Sequence, residues 1–182
     1  VFEKQLHLVF GAQAEETKTN FDFVKGNSAN VSNSYWNVLP NITLRKEFNR
    51  SMNTSLVYRA SIRRPGLGEL NPNIDYSDPY NLRFGNPFLS PTLADNFDWN
   101  FSLMKGKYYI NTSVGYNVVK QVINSFRTLA GGGKTFITYV NIADRKEPAA
   151  SAWGGHTFNK WFRMNGSLGY SYNVYAEAEK QL

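Results

Sequence analysis

Residues 63–91 read RRPGLGELNPNIDYSDPYNLRFGNPFLSP, and the rest of the chain is organised around this stretch. Prolines recur throughout it, and they exclude a regular helix or strand because each one removes a backbone N–H. The stretch is not low-complexity filler, since an aromatic residue returns every fourth position, at Tyr76, Tyr80, Phe84 and Phe88. A loop of this length without its own secondary structure is uncommon and is usually functional. We therefore predict a long ordered loop at one end of a sheet.

Both flanks of this loop alternate apolar and polar residues, as half-buried β-strands do. The clearest case is the strand at 93–104, where Phe97 and Trp99 oppose Asp98 and Asn100. Seven strands are predicted, over residues 3–16, 35–48, 52–63, 93–104, 108–122, 135–158 and 161–175. Pro40 predicts either a bulge in the second strand or a later start of that strand. The charged residues 144–147 leave open a break that would divide the sixth.

The order and spacing of five short motifs in and before the long loop resemble one known family. The motifs are Tyr58-Arg59-Ala60-Ser61-Ile62-Arg63-Arg64-Pro65, Leu70-Asn71-Pro72, Tyr76-Ser77-Asp78-Pro79-Tyr80, Gly85-Asn86-Pro87 and Leu89-Ser90-Pro91. Together they resemble the C-terminal barrel of Bacteroidota-type TonB-dependent receptors, the outer membrane protein β-barrel family. The resemblance extends weakly over nearly the whole chain.

This resemblance implies an all-β fold, an antiparallel meander of about seven strands within a large transmembrane barrel. Residues 1–182 would be a partial barrel domain, a fragment without its plug domain and final strands. The implied function is uptake of a scarce ligand across the outer membrane, with this chain as wall and extracellular loops. Implied partners are outer-membrane lipid, an unknown small ligand, and a plug domain and TonB reached through parts outside this chain. No enzyme activity, cofactor or metal is implied.

The connections alternate in length, which agrees with a barrel that crosses a membrane. Short turns are predicted near Asn49, Gly106 and Asn159, and long loops at 17–34, 64–92 and 123–134. Membrane barrels have short periplasmic turns and longer extracellular loops. Aromatic or apolar residues near the short turns are Phe48, Leu103, Tyr108, Phe158 and Phe162, beside the cations Lys46, Arg50, Lys105, Lys107, Lys160 and Arg163. A second aromatic girdle is predicted at Phe10, Trp36, Tyr116, Tyr139 and Tyr172.

Composition excludes several other classes of protein. The 182 residues contain no cysteine, so neither a disulfide framework nor a thiolate metal site is available. Mean hydropathy is −0.44, and no apolar run approaches the roughly 18 residues that would indicate a membrane helix. The net charge of +6 is scattered rather than clustered, so no nucleic-acid partner is predicted. The two histidines, His7 and His156, lie far apart without acidic residues at ligand spacing.

Two further hypotheses remain open from the sequence. A soluble cell-surface β-sandwich, acting as a binding or adhesion module, would pack the apolar strand faces against each other in a dry core. A structural assembly component would instead pair its open sheet edges with another chain, since exposed edges are templates for pairing. Edge-to-edge self-association of the fragment is therefore also expected.

The long loop supplies the candidate binding residues Asp75, Tyr76, Asp78 and Tyr80. Two carboxylates beside two phenols could contact a ligand or a cation at the mouth of a barrel. Asp side chains also stabilise turns by accepting hydrogen bonds from their own backbone, and that role competes with ligand contact.

Overall fold

The structure, a computed structural model, describes residues 5–21 and 31–176 and consists mainly of β-strands. Its elements are β1 (Leu6–Phe21), β2 (Val31–Asn49), β3 (Met52–Arg63), α1 (Leu67–Leu70), β4 (Asn81–Arg83), β5 (Thr92–Lys105), β6 (Tyr108–Lys120), β7 (Val122–Leu129), β8 (Thr135–Ile142), β9 (Arg145–Thr157), β10 (Arg163–Ser171) and β11 (Val174–Tyr175). The predicted all-β antiparallel meander is confirmed.

The large sheet is an antiparallel meander in the order β1-β2-β3-β5-β6-β9-β10, with β11 continuing beside β9. Within the part of the chain that is described, β1 and β10 are open edges. The strands pair in continuous register, so one face collects the apolar residues and the other the polar ones. One apolar row across the sheet is Phe10, Ile42, Tyr58, Phe97, Tyr116 and Pro148.

Successive short turns are displaced from one another along the strand direction. The last paired residues before the three turns are Asn49 with Met52, Lys105 with Tyr108, and Phe158 with Phe162. Met52 lies opposite Leu103, two residues before Lys105, and Tyr108 lies opposite His156, two residues before Phe158. The stagger is thus one residue per strand. A shift of about 3.3 Å per roughly 4.8 Å of strand spacing corresponds to a strand tilt of about 35°, as in membrane barrels.

A second, smaller sheet lies at the long-loop end. It has the order β4-β8-β7, and β4 runs parallel to β8. The most buried apolar residues lie mainly here and in the loop beside it, at Leu70, Leu82, Leu89 and Ile137, with Val119 nearby at the end of β6. Phe84 and Phe136 meet edge to face with ring centroids 6.0 Å apart. The well-packed core of the described chain therefore lies in the small sheet and the long loop beside it, and not in the large sheet.

Several sequence predictions about elements are wrong in detail. The loop predicted at 123–134 contains strand β7, and the predicted strand 135–158 is divided into β8 and β9 at the charged residues, as its alternative allowed. Each half pairs in a different sheet, which is why the chain breaks there. The first two strands extend into the predicted loop 17–34, leaving only residues 22–30 between them, outside the described part.

The proline-rich loop and Pro40 also differ from expectation. Residues 64–92 hold the one-turn helix α1 and the short strand β4, which fit between successive prolines. Pro40 lies opposite Ala12 in regular register, and the irregularity of β2 falls between Glu47 and Asn49 instead. Pairing with β3 begins only at Asn41, so Pro40 has a neighbouring strand on one side alone. A proline is tolerated there without a bulge.

Candidate functional site

The apolar face of the large sheet is an uncharged, exposed band. On β5, Asp95 and Lys105 bracket residues 96–104, which match the 9–11 residues of a membrane-crossing strand. At a tilt of about 35°, the ten residues from Asp95 to Lys105 rise roughly 27 Å, close to the apolar band of about 25 Å in membrane barrels. Across the seven strands, no Asp, Glu, Lys or Arg of the described chain faces outward between Lys46 and Lys105 at one border and Glu16, Asp95, Lys120 and Lys146 at the other.

The side chains of this band are open to their surroundings, not packed on another layer. Leu8 is 66% exposed, Phe10 81% and Leu168 79%. Polar groups within the band are satisfied locally: Trp99 Nε1 donates to Thr54 Oγ1 at 2.9 Å, which in turn donates to the Asn100 carbonyl. At the long-loop border Asp95 accepts hydrogen bonds from the Tyr58 hydroxyl and from Lys120. Such a face suits hydrocarbon.

The two predicted aromatic girdles have different outcomes. The residues named near the short turns do lie at that end of the sheet, where Phe158 and Phe162 have ring centroids 5.1 Å apart and Lys46 lies over the Phe48 ring. The second girdle is partly wrong. Tyr139 lies on β8 in the small sheet, and Phe10 lies near mid-height of the band once the stagger is counted.

The opposite face of the sheet is polar. A diagonal row of polar side chains crosses it at Asn41, Arg59, Asn96, Asn117 and Glu147. Asn117 donates to Glu147 at 3.4 Å, which joins β6 to β9. A depression of about 590 Å³ on this face is lined by residues that include Glu15, Arg59 and Arg64.

The long loop is tied to the polar face at both of its ends. Arg64 forms an ion pair with Glu15 and donates from Nε to Thr17 Oγ1 at 3.0 Å. Near the other end of the loop, Asn33 on β2 donates to the Pro87 carbonyl at 2.6 Å. Glu15, Thr17 and Asn33 all belong to the polar face, so the loop crosses on that side of the sheet.

The loop begins with a hydrogen-bonded turn around Glu69. Its carboxylate accepts the Gly66 N–H at 2.8 Å and pairs with Arg63 at 2.7 Å. Burial raises the pKa of Glu69, but these two partners outweigh burial, so the net pKa is lowered and the carboxylate stays charged.

The far half of the loop is joined to the β7–β8 hairpin. Asn141 on β8 accepts the Ser90 N–H at 2.9 Å and donates to the Ser90 and Gln121 carbonyls, both at 2.9 Å. Asn86 donates to the Tyr139 carbonyl at 3.2 Å, and β4 pairs with residues 135–137. The two loops therefore form one structure, which we call the loop assembly: residues 64–92 and 121–144.

The two candidate carboxylates are engaged in turns. Asp75 accepts the backbone N–H and the hydroxyl of Ser77, and Asp78 accepts the backbone N–H groups of Tyr80 and Asn81 and the side-chain amide of Asn81. The hydrogen bond from Ser77 lowers the pKa of Asp75, and that from the Asn81 side chain lowers the pKa of Asp78. The competing structural role is therefore present at both residues, and ligand contact stays a prediction.

The two candidate phenols, Tyr76 and Tyr80, are open at the surface, 68% and 65% exposed. The turns that hold them fix their backbone, since the Tyr80 carbonyl also accepts the Thr135 N–H at 2.7 Å. Exposed aromatic rings on a fixed backbone can stack on a ligand at low entropic cost. Sequence reasoning missed Asn141 and the contacts of Arg64 with Glu15 and Thr17, because a partner distant in sequence gives no local signal.

The described residues offer neither a metal-binding cluster nor a membrane-spanning helix. The described residues contain no group of three His, Asp or Glu side chains able to hold a metal ion. No helix within residues 5–21 and 31–176 has the length and apolar character needed to cross a membrane.

Comparison with known proteins identifies the family. The sequence profile of the Outer membrane protein beta-barrel family matches residues 2–181, and the chain belongs to that family. No curated protein sequence matches the chain. Membership places the chain in the outer membrane, in agreement with its uncharged exposed band.

Solved structures share the fold at low sequence identity. The copper transporter OprC superposes with a TM-score of 0.70 at 13% identity, over 93% of this chain and 28% of that one. The siderophore receptor PirA from Pseudomonas aeruginosa gives 0.69 at 11%, over 94% and 35%. The FrpB iron transporter from Neisseria meningitidis gives 0.66 at 14%, over 96% and 24%. The chain thus spans about a quarter to a third of these proteins.

Proposed function

We propose that this chain forms wall and extracellular loops of a TonB-dependent outer-membrane receptor of the Bacteroidota type, which takes up a scarce ligand. The observation that carries the proposal is the loop assembly, an ordered and partly buried structure fixed to the polar side of an outward-apolar sheet. A barrel wall alone needs no such structure, because loops without a task can stay short. Its position lets it contact a ligand at the barrel mouth.

The similar structures support uptake as the class of function. These proteins are, by name, a copper transporter, a siderophore receptor and an iron transporter. Their identities are too low to carry a ligand over to this chain. A plug domain and TonB, as partners of the whole receptor, are part of the same proposal.

The sandwich alternative required the apolar faces to pack on each other in a dry core. In the described chain those faces form one sheet, and residues such as Leu56 and Leu168 are exposed. The small sheet lies at one end and supplies no second layer over the band. Adhesion through open edges keeps a structural basis in β1 and β10, but it does not explain the loop assembly.

Sidedness tests the assignment of the loops. The chain has no cysteine, so a single introduced cysteine is the only thiol that can be labelled. In intact cells, a membrane-impermeant maleimide is expected to label Tyr80→Cys. It should label Lys107→Cys, in the short turn between β5 and β6, only after the outer membrane is opened. Reversed labelling would exclude the proposed orientation.

Uptake requires a second test in cells with and without the protein. Growth is compared when iron is supplied only as a ferric siderophore or as haem, and when copper is limiting. The receptor function is supported if cells that lack TonB show the same growth defect as cells that lack this protein, and if cells that lack both grow no worse. Equal growth in every condition counts against uptake of these ligands, while the labelling result would still stand.

A further inference from the structure

The short-turn end of the wall is strongly cationic. We define the turn rim as the lysines of the described chain at this end, namely Lys46, Lys105, Lys107 and Lys160. The one carboxylate at this end of the described chain is Glu47, which pairs with Arg45 at 3.1 Å. Within residues 5–21 and 31–176, no acidic residue is left to balance these lysines.

The rim residues lie at nearly one height despite their scatter in sequence. Each hairpin is displaced by two residues in register from the one before it, and a tilt of about 35° converts that displacement into a level edge. Lys46 lies near the end of β2, Lys105 ends β5, Lys107 lies in the turn that follows β5, and Lys160 lies in the turn after β9. The cations thus form a row directly below the uncharged band.

Aromatic side chains place this row at the membrane interface. Trp161, at the tip of the last turn, is 95% exposed, and its backbone is fixed because Asn159 Oδ1 accepts the N–H groups of Trp161 and Phe162. Exposed Trp residues beside cations are typical of the headgroup region. Lys107 donates to the Phe158 carbonyl at 3.3 Å, so its ammonium group is held beside this aromatic residue.

We propose that the turn rim binds the phosphate headgroups of anionic phospholipids in the inner leaflet, and prefers them to zwitterionic lipids. Short turns face the periplasm in such barrels, so the rim meets the periplasmic leaflet. Each Lys or Arg near an anionic surface contributes about a five-fold gain in association, the equivalent of ~1 kcal/mol. The inference rests on membrane insertion and not on uptake of a ligand.

The opposite border of the band shows why the rim is distinctive. Cations and carboxylates alternate there: Lys18 pairs with Glu16 at 2.9 Å, and Lys120 pairs with Asp95 at 3.1 Å. Lys146 adds one more cation. The excess positive charge at that border is small. We therefore expect its lysines to give no comparable preference for anionic lipid.

Lipid association in vesicles tests the proposal. The whole chain is reconstituted in phosphatidylcholine with trace spin-labelled phosphatidylglycerol or phosphatidylcholine, and electron paramagnetic resonance measures the immobilised fraction of each label. The wild-type chain should prefer phosphatidylglycerol several-fold. The variant K105Q/K107Q/K160Q removes three of these contributions, so it should lose the preference and immobilise the two labels equally. The wild-type preference should also fall in 1 M salt, where the Debye length is about 3 Å.

The matched control is K18Q/K120Q/K146Q, which removes the same charge from the other border. It should keep the wild-type preference. Circular dichroism in the same vesicles establishes whether each variant is folded. If the rim variant is unfolded, the effect of salt on the wild-type preference tests the proposal instead. Equal association of both labels with the wild type, or an equal loss in both variants, would overturn the proposal.

Discussion

At the scale of single residues, Asp75 and Asp78 act as turn acceptors whose charge matters. Each pKa is lowered by hydrogen bonds to the ionised form, so each carboxylate stabilises its turn fully above the ordinary Asp pKa of about 3.9. That contribution is lost as the pH falls through the lowered pKa.

We therefore expect no change in the loop between pH 8 and pH 5, and loosening below about pH 4. Amide exchange at Ser77, Tyr80 and Asn81, followed by mass spectrometry and corrected for intrinsic rates, measures it. Asp78→Asn keeps an acceptor oxygen without titrating, so Tyr80 and Asn81 should lose their acid dependence while Ser77 keeps its own. Identical acid profiles in wild type and variant would show that Asp78 does not hold this turn.

Gly85 is a packing constraint in the loop assembly. A Cβ at this position would lie 2.6 Å from both the Asn71 nitrogen and the Glu69 carbonyl oxygen, which are backbone atoms that cannot turn away. Gly85→Ala should destabilise the assembly by about 1–3 kcal/mol, measured as faster proteolysis within residues 64–92. Gly68→Ala is the matched control, because a Cβ there has no neighbour within 4 Å. Equal proteolysis of both variants would contradict the packing argument.

At the scale of elements, Asn141 joins the hairpin to the long loop. Its side chain makes three hydrogen bonds to backbone groups of Ser90 and Gln121. Asn141→Ala should weaken docking of the loop by about 1–3 kcal/mol, since the partners are left unsatisfied in a half-buried place. Hydrogen exchange in β4 should accelerate, while exchange in β5 and β6 stays unchanged.

The control for this change is Asn124→Ala on β7, whose amide oxygen accepts only its neighbour's N–H at Ser125. It should leave exchange in β4 as in the wild type. If Asn141→Ala also leaves it unchanged, β4–β8 pairing alone holds the loop, and the side-chain contribution is negligible.

At the scale of the whole molecule, the two faces of the wall should respond differently to charge. Val114 lies on the outward face in the uncharged band, and its neighbour Ser113 faces the polar side. In lipid vesicles, Val114→Lys should lower the free energy of unfolding by about 2–4 kcal/mol, the cost of a cation near the bilayer midplane. Ser113→Lys should cost much less. Denaturant titration in vesicles measures both, and equal costs would exclude a lipid-facing band.

Much of the wall could be predicted from sequence because its rules are local. Alternation with a period of two assigns each strand and both of its faces, and turn residues such as Gly106 mark the hairpins. Residues 93–104 illustrate this, since the observed β5 departs from the prediction by one residue at each end. Where alternation faded, as in 123–134, the prediction of a loop was wrong.

The sequence alone therefore predicts the meander, its apolar and polar faces, and the end at which the long loops lie. It does not predict that 64–92 and 121–144 form one assembly, that β4 pairs in parallel with β8, or that the apparent strand 135–158 divides between two sheets. The difference lies in the sequence distance between the residues that make contact. A strand's faces follow from adjacent residues, whereas contacts such as Asn141 with Ser90 depend on how distant segments meet in space.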